Sequence, residues 1–177
     1  MTETLQYKIK KAIRDIADFP KKGILFKDVT PIFLDPNLTL SIVDEMEKNL
    51  SKEIDVICGI ESRGFLFGIL LAQKMKKPFV MIRKAGKLPA EKVAVHYKLE
   101  YGEASIEMHK GFIEPGKKVL IHDDLLATGG TAMAAAELIK QQGGIVLQYS
   151  FFVELSSLNG RKLLNNISDN IQSLVMY

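Results

Sequence analysis

Residues 118–131 read KVLIHDDLLATGGT. An apolar run leads into two adjacent carboxylates, then into a turn of small residues carrying two hydroxyls and two glycines. The run has the pattern of a strand covered on both faces. The segment after it, GTAMAAAELIKQQGG, reads as a helix closed by glycines. Where such a strand feeds such a helix, the backbone N–H groups of Ala127, Thr128, Gly129, Gly130 and Thr131 can converge on an anion. The hydroxyls of Thr128 and Thr131 add donors, and the small side chains let the anion approach the backbone closely. Asp123 and Asp124 would repel that anion. They suit sugar hydroxyls, or positive charge that develops nearby. The stretch is therefore read as a grip on a sugar 5-phosphate. It is not a P-loop, which needs Gly-Lys before a hydroxyl residue, nor a dinucleotide fingerprint, because its glycines are adjacent. The plainer alternative is an acidic strand end followed by an ordinary helix cap.

Working outward, strand and helix alternate. DVICGI, PFVMIRK, KKVLIHDD and IVLQYSFFVEL read as buried strands, and SRGFLFGILLAQKM as a helix between the first two. That alternation argues an α/β fold with a central parallel sheet flanked by helices. Nearer the N-terminus, apolar spacing predicts a helix over 5–16 that Pro20 stops, and a second helix from NLTLSIVDEMEKNL with Asn37 or Thr39 as its cap. One segment breaks the rhythm. EKVAVHYKLEY and EASIEMHKG read as two antiparallel strands of a hairpin projecting from the sheet. No linker separates two domains, so 1–177 is taken as one domain, with 1–36 as an N-terminal helix and base-binding segment and 84–111 as a flexible lid.

Composition limits the function. A formal net charge of +3 suits anionic ligands, but the Lys and Arg are scattered rather than striped, which argues against nucleic acid. The N-terminal stretch lacks a signal peptide's apolar block, and no run of about 18 apolar residues is present to span a membrane. A cytoplasmic protein is expected. The single cysteine, Cys58, lies in an apolar run and reads as a buried thiol. His122 is expected to be buried and hydrogen-bonded.

In an open α/β sheet, ligands bind beyond the carboxyl ends of the strands. Those ends carry GIESRG (59–64), RKAGK (83–87) and DDLLATGGT (123–131), all polar and glycine-bearing. Together with IRKAGKLP, YKLEYG and FVELSSLNGR, and in this order, they resemble the type I phosphoribosyltransferases and, within them, the adenine-specific branch. The resemblance runs from about DFPKKGILFKDVTP to the last strand, nearly the whole chain. It implies transfer of a 5-phosphoribosyl group from phosphoribosyl diphosphate to adenine, giving AMP and diphosphate in purine salvage. It also implies Mg2+ arriving with the diphosphate, no direct protein ligand to that metal, and a homodimer.

The residues are consistent with that chemistry. Ser62 and Arg63, with Arg83, Lys84 and Lys87, offer donors and positive charge for diphosphate, Arg63 as a bidentate fork. Arg83 is similar to a family residue that reaches diphosphate across the dimer interface. Asp123 and Asp124 hold the ribose hydroxyls and can stabilise positive charge developing on the sugar. Glu100 matches the family's acid–base residue, and Tyr101 beside it in the lid also reaches the site. Phe26 can stack on a purine, with the backbone of Leu25 and Lys27 reading the base edge. The family commonly has arginine at the Lys27 position, so only a backbone role survives there. The alternatives are an oxopurine-specific transferase, or a regulator that senses purine or phosphoribosyl diphosphate without turnover. The regulator would typically carry a helix-turn-helix module, for which the stretch before Pro20 is too short.

Overall fold

The computed structural model describes residues 3–99 and 102–177. The chain divides into two compact units, Met1–Lys48 and Asn49–Tyr177.

In the first unit, α1 (Leu5–Ala12) is followed by β1 (Arg14–Ala17), β2 (Leu25–Asp28), a 3-10 turn (Thr30–Leu34) and α2 (Pro36–Lys48). The helix expected over 5–16 thus ends four residues early. Electrostatics across the β1–β2 pair explains why. Arg14 stands opposite Asp28, and Asp15 opposite Lys27. Arg14 Nη2 reaches Asp28 Oδ2 at 2.6 Å, and Lys27 Nζ reaches Asp15 Oδ1 at 2.7 Å. Directly opposed charges stabilise an antiparallel pair, and a further helical turn would forfeit both. Neither Asn37 nor Thr39 caps α2. Asp35 does, its Oδ1 accepting from the N–H groups of Asn37 and Leu38 at 3.0 Å each. Pro36 occupies the first helical position, where its missing N–H costs nothing.

The second unit holds β3 (Val56–Ile60), α3 (Gly64–Met75), β4 (Phe79–Lys84), β5 (Lys92–Leu99), β6 (Gly102–His109), β7 (Lys118–Leu126), α4 (Gly130–Gln141), β8 (Ile145–Glu154), α5 (Gly160–Leu164) and β9 (Ile171–Met176). They form a seven-stranded sheet in the order β5-β6-β4-β3-β7-β8-β9. The five strands from β4 to β9 run parallel, as expected. The hairpin β5–β6 joins them through an antiparallel pairing of Arg83 with Glu107 and Lys84 with Ile106, which makes the sheet mixed. All five residues of β3 are buried, which fits a strand covered on both faces. On one face Cys58, Ile121 and Tyr149 pack with Ala135, Leu138 and Ile139 of α4. On the other, Gly59 and Gly68 let α3 settle onto the sheet. A Cβ at Gly68 would lie 2.9 Å from the Phe79 ring and 3.4 Å from the His122 ring. No helix among the described residues is long and apolar enough to cross a membrane.

Candidate active site

The strand ends come together around a cleft of about 500 Å3. Ser62 and Arg63 reach it from the turn after β3, Lys84 from the end of β4, Asp123 and Asp124 from β7, and Ala127 and Thr131 from the loop before α4. The two aspartates stand within β7 rather than after it, since β7 pairs with β8 as far as Leu126 and Glu154. Beside the cleft, Ala127, Thr128, Gly129, Gly130 and Thr131 enclose a smaller cavity of about 70 Å3.

That small cavity has the features of an anion site. No side chain caps the N-terminus of α4, so its first N–H groups face the loop without a side-chain acceptor. Gly129 takes φ +84° to turn the chain there, a conformation that favours glycine. The loop is also braced from behind. A Cβ on Gly160 would stand 2.2 Å from the Ala127 carbonyl oxygen, and one on Gly129 would stand 2.8 Å from the Gly160 carbonyl oxygen. Only two glycines allow these backbones to meet. Arg161 anchors the far side, with Nη2 2.7 Å from Glu154 Oε2 and Nη1 donating to the Ile171 carbonyl at 2.7 Å.

Charge in the cleft is balanced by pairing. Arg63 Nε lies 2.8 Å from Asp124 Oδ2. Asp123 Oδ1 accepts from the Asp124 N–H at 2.9 Å. Burial raises the pKa of both carboxyls. The neighbouring Asp124 charge raises Asp123 further, and Arg63 opposes the rise at both. The pair thus holds protons more tightly than free aspartates do, until something positive or proton-donating arrives.

Arg83 and Lys87 do not line this cleft. They close on Glu61, with Arg83 Nε at 3.2 Å from Oε2 and Lys87 Nζ at 2.5 Å from Oε1. The Lys84 N–H donates to Oε2 at 3.0 Å. Burial pushes the Glu61 pKa up, but the donors from Lys87, Lys84 and Arg83 win and bring it down to about 2. Glu61 was not singled out from the sequence, although its place directly after a buried strand and before Ser62 was a signal. Tyr97 was also missed. Its hydroxyl lies 3.2 Å from Thr131 Oγ1. The alternation Val93, Val95, Tyr97 in the hairpin placed it on the inward face.

Leu25, Phe26 and Lys27 are the first three residues of β2 in the first unit. Leu25 is exposed, Phe26 meets the Phe19 ring edge-on at 5.1 Å, and the Lys27 ammonium is held by Asp15. Glu100 and Tyr101 lie outside the described residues. His122 is fully buried, as expected, and no side chain partners either ring nitrogen; the Ser150 backbone is the polar group that acts on the ring. Burial lowers its pKa to about 4, against a smaller opposing pull from the Ser150 backbone. The cause is its place in a packed sheet against Gly68, where no donor or acceptor side chain reaches the ring. Among the described residues no cluster of three or more His, Cys, Asp or Glu is arranged to hold a metal.

A sheet whose strand ends carry a glycine-braced loop at a helix N-terminus, two carboxylates and a cationic turn fits the class of phosphoribosyl-transferring enzymes. A family profile described as "Phosphoribosyl transferase domain" matches residues 34–150. An adenine phosphoribosyltransferase of Agathobacter rectalis is 52% identical over 96% of this chain and 97% of its own. The crystal structure of the adenine phosphoribosyltransferase from Thermoanaerobacter pseudethanolicus superposes with a TM-score of 0.94 at 47% identity, covering 98% of this chain and 100% of that one. The Saccharomyces cerevisiae adenine phosphoribosyltransferase, complexed with an imino-altritol bisphosphate and adenine, superposes at 0.87 with 40% identity over 96% and 98%. The chain belongs to the adenine phosphoribosyltransferase family.

Proposed function

We propose that this chain transfers the 5-phosphoribosyl group of phosphoribosyl diphosphate to adenine, producing AMP and diphosphate for purine salvage. The observation that carries this reading is the convergence of three strand ends on one cleft, next to a phosphate-sized cavity at an uncapped helix N-terminus.

In this reading the 5-phosphate sits on the N–H groups of Ala127 to Thr131, with Thr128 and Thr131 donating their hydroxyl protons. Asp123 and Asp124 accept from the ribose hydroxyls. As the C–O bond to diphosphate breaks, positive charge grows on the sugar, and the same two carboxylates stabilise it. Ser62, Arg63 and Lys84 receive the leaving diphosphate, and Arg83 and Lys87 add positive charge from their station on Glu61. Phe26, flanked by the backbone of Leu25 and Lys27, stacks on the purine. Glu100 accepts or holds the proton of the attacking purine nitrogen. Tyr101 belongs with it in the lid, 84–111, that excludes water around the ribosyl cation.

Mg2+ fits this donor set as a companion of the diphosphate. Asp123 and Asp124 would supply negative charge near the ion without being direct ligands, and substrate oxygens and water would hold it. When bound, the ion neutralises diphosphate charge. We further propose a homodimer. α3 is apolar nearly all round, yet Leu66 and Ile69 on its outer face, and Met81 on β4, are exposed. A helix of that composition is normally covered on every side. The cytoplasm, where the lone buried Cys58 stays reduced, is the proposed compartment.

The test is turnover with phosphoribosyl diphosphate and Mg2+, offering adenine, hypoxanthine, guanine and xanthine separately. AMP from adenine alone is expected. A nucleotide formed from an oxopurine at a comparable rate would reassign the substrate, and no product from any base would remove the enzymatic reading.

A further inference from the structure

Tyr97 lies in β5, within the segment 84–111, and none of the roles above is assigned to its side chain. Its ring packs with Val93 and Val95 against the core of the second unit. Its hydroxyl extends past them into the cleft and meets Thr131 Oγ1 at 3.2 Å. Thr131 lines both the cleft and the loop cavity, so its hydroxyl stands at the junction of the two.

A hydroxyl carries one proton and two lone pairs. A phenol O–H is a better donor than an alkanol O–H. The favoured arrangement is therefore Tyr97 donating to Thr131, with the Thr131 proton turned away from Tyr97. From there it points at whatever acceptor occupies the loop. Hydrogen bonds in a chain polarise one another, so a threonine that accepts from a phenol is also a stronger donor onward.

We propose that Tyr97 is a positioning residue for the sugar 5-phosphate. It fixes the Thr131 hydroxyl as a donor to that phosphate and ties the hairpin strand β5 to the first turn of α4. The proposal rests on the reading of residues 127–131 as the phosphate site. It assigns Tyr97 no contact with the purine or with the breaking bond, and this separates it from the residues of the transfer step.

The experiment compares wild type, Tyr97→Phe, Thr131→Val and the double variant. It measures titration with ribose 5-phosphate, steady-state kinetics with adenine, and thermal melting of the unliganded proteins. Tyr97→Phe keeps the ring and its packing and removes only the donor. Expected is a loss of up to roughly tenfold in ribose 5-phosphate affinity and a comparable rise in KM for phosphoribosyl diphosphate, the scale of one neutral hydrogen bond. Expected with it are a kcat and a KM for adenine within about twofold of wild type, and a melting temperature lowered by no more than a few degrees. The double variant should bind no more weakly than Thr131→Val alone, because Tyr97 acts through Thr131. Unchanged phosphate affinity in Tyr97→Phe, or losses that add in the double variant, would overturn the proposal. So would an equal fall in kcat and stability, which would mark a merely structural role. Failure of the wild type itself to bind ribose 5-phosphate would instead sink the phosphate-site reading beneath it.

Discussion

Arg63 Nε lies 2.8 Å from Asp124 Oδ2, joining the turn before α3 to β7 across the floor of the cleft. The group assigned to diphosphate is thus held by a carboxylate assigned to ribose. The carboxylate is nearly buried, whereas about a third of the Arg63 side chain is exposed. Arg63→Ala strands that buried charge. The expected loss is about 1–3 kcal/mol, less than for a fully buried pair because solvent screens Arg63. KM for phosphoribosyl diphosphate should rise more than tenfold. Arg63→Lys should recover stability better than binding, because an ammonium lacks the planar fork. Urea melts and kinetics on both variants check this, and complete recovery of KM by lysine would contradict it.

Asp123 predicts a trade of stability against activity. Its carboxyl pKa is raised by burial and then by Asp124, so the unfolded chain gives up this proton at lower pH than the folded one. Stability therefore falls as pH rises from the unfolded value of about 3.9 through the folded value, and the cost is fully present above it. Asp123→Asn removes the cost. The variant should melt higher than wild type at pH 7, with the gap closing toward pH 3–4, while turnover drops on the order of 100-fold. Calorimetry at the two pH values reads the sign directly, and a less stable variant at pH 7 would contradict the account.

Glu61 predicts the opposite pH dependence. Its pKa falls to about 2 because Lys87, Lys84 and Arg83 outweigh burial. A lowered carboxylate contributes stability above its unfolded pKa and loses it as pH falls through the folded one. Glu61→Gln should cost about 1–3 kcal/mol at pH 7, and the difference from wild type should vanish as pH approaches 2. A constant difference across that range would show that packing, not charge, is what Glu61 supplies.

Gly160 offers a prediction from geometry alone. A methyl there meets the Ala127 carbonyl at 2.2 Å, so either the loop or α5 must move. Because α5 is pinned through Arg161 to Glu154 and to the Ile171 carbonyl, the loop should yield. Gly160→Ala should weaken ribose 5-phosphate binding at least tenfold, with destabilisation of about 1–3 kcal/mol. Titration calorimetry would register the change, and wild-type affinity would show that α5 gives way instead.

Much of this fold was legible because buried parallel strands announce themselves as apolar runs, as VICGI does, and because glycines and hydroxyls after a strand have few other uses. The glycine loop before α4, the aspartate pair at a strand end and the antiparallel hairpin follow from local pattern. What escaped were relationships between distant residues. Nothing in IRDIAD indicates a strand until Asp28 and Lys27 stand opposite Arg14 and Asp15. The station of Arg83 and Lys87 on Glu61 is equally invisible, since loop cations look alike in sequence whichever carboxylate they meet. α5 is a single turn, too short to show a period, and β9, IQSLVM, mixes polar and apolar residues without an unbroken apolar run.

The most direct test of the central claim is a crystal structure with phosphoribosyl diphosphate and Mg2+ bound. The account predicts the 5-phosphate within hydrogen-bond distance of the N–H groups of residues 127–131, the ribose hydroxyls on Asp123 and Asp124, and the diphosphate over Ser62 and Arg63. A 5-phosphate seated elsewhere, with residues 127–131 making no contact to it, would contradict the account.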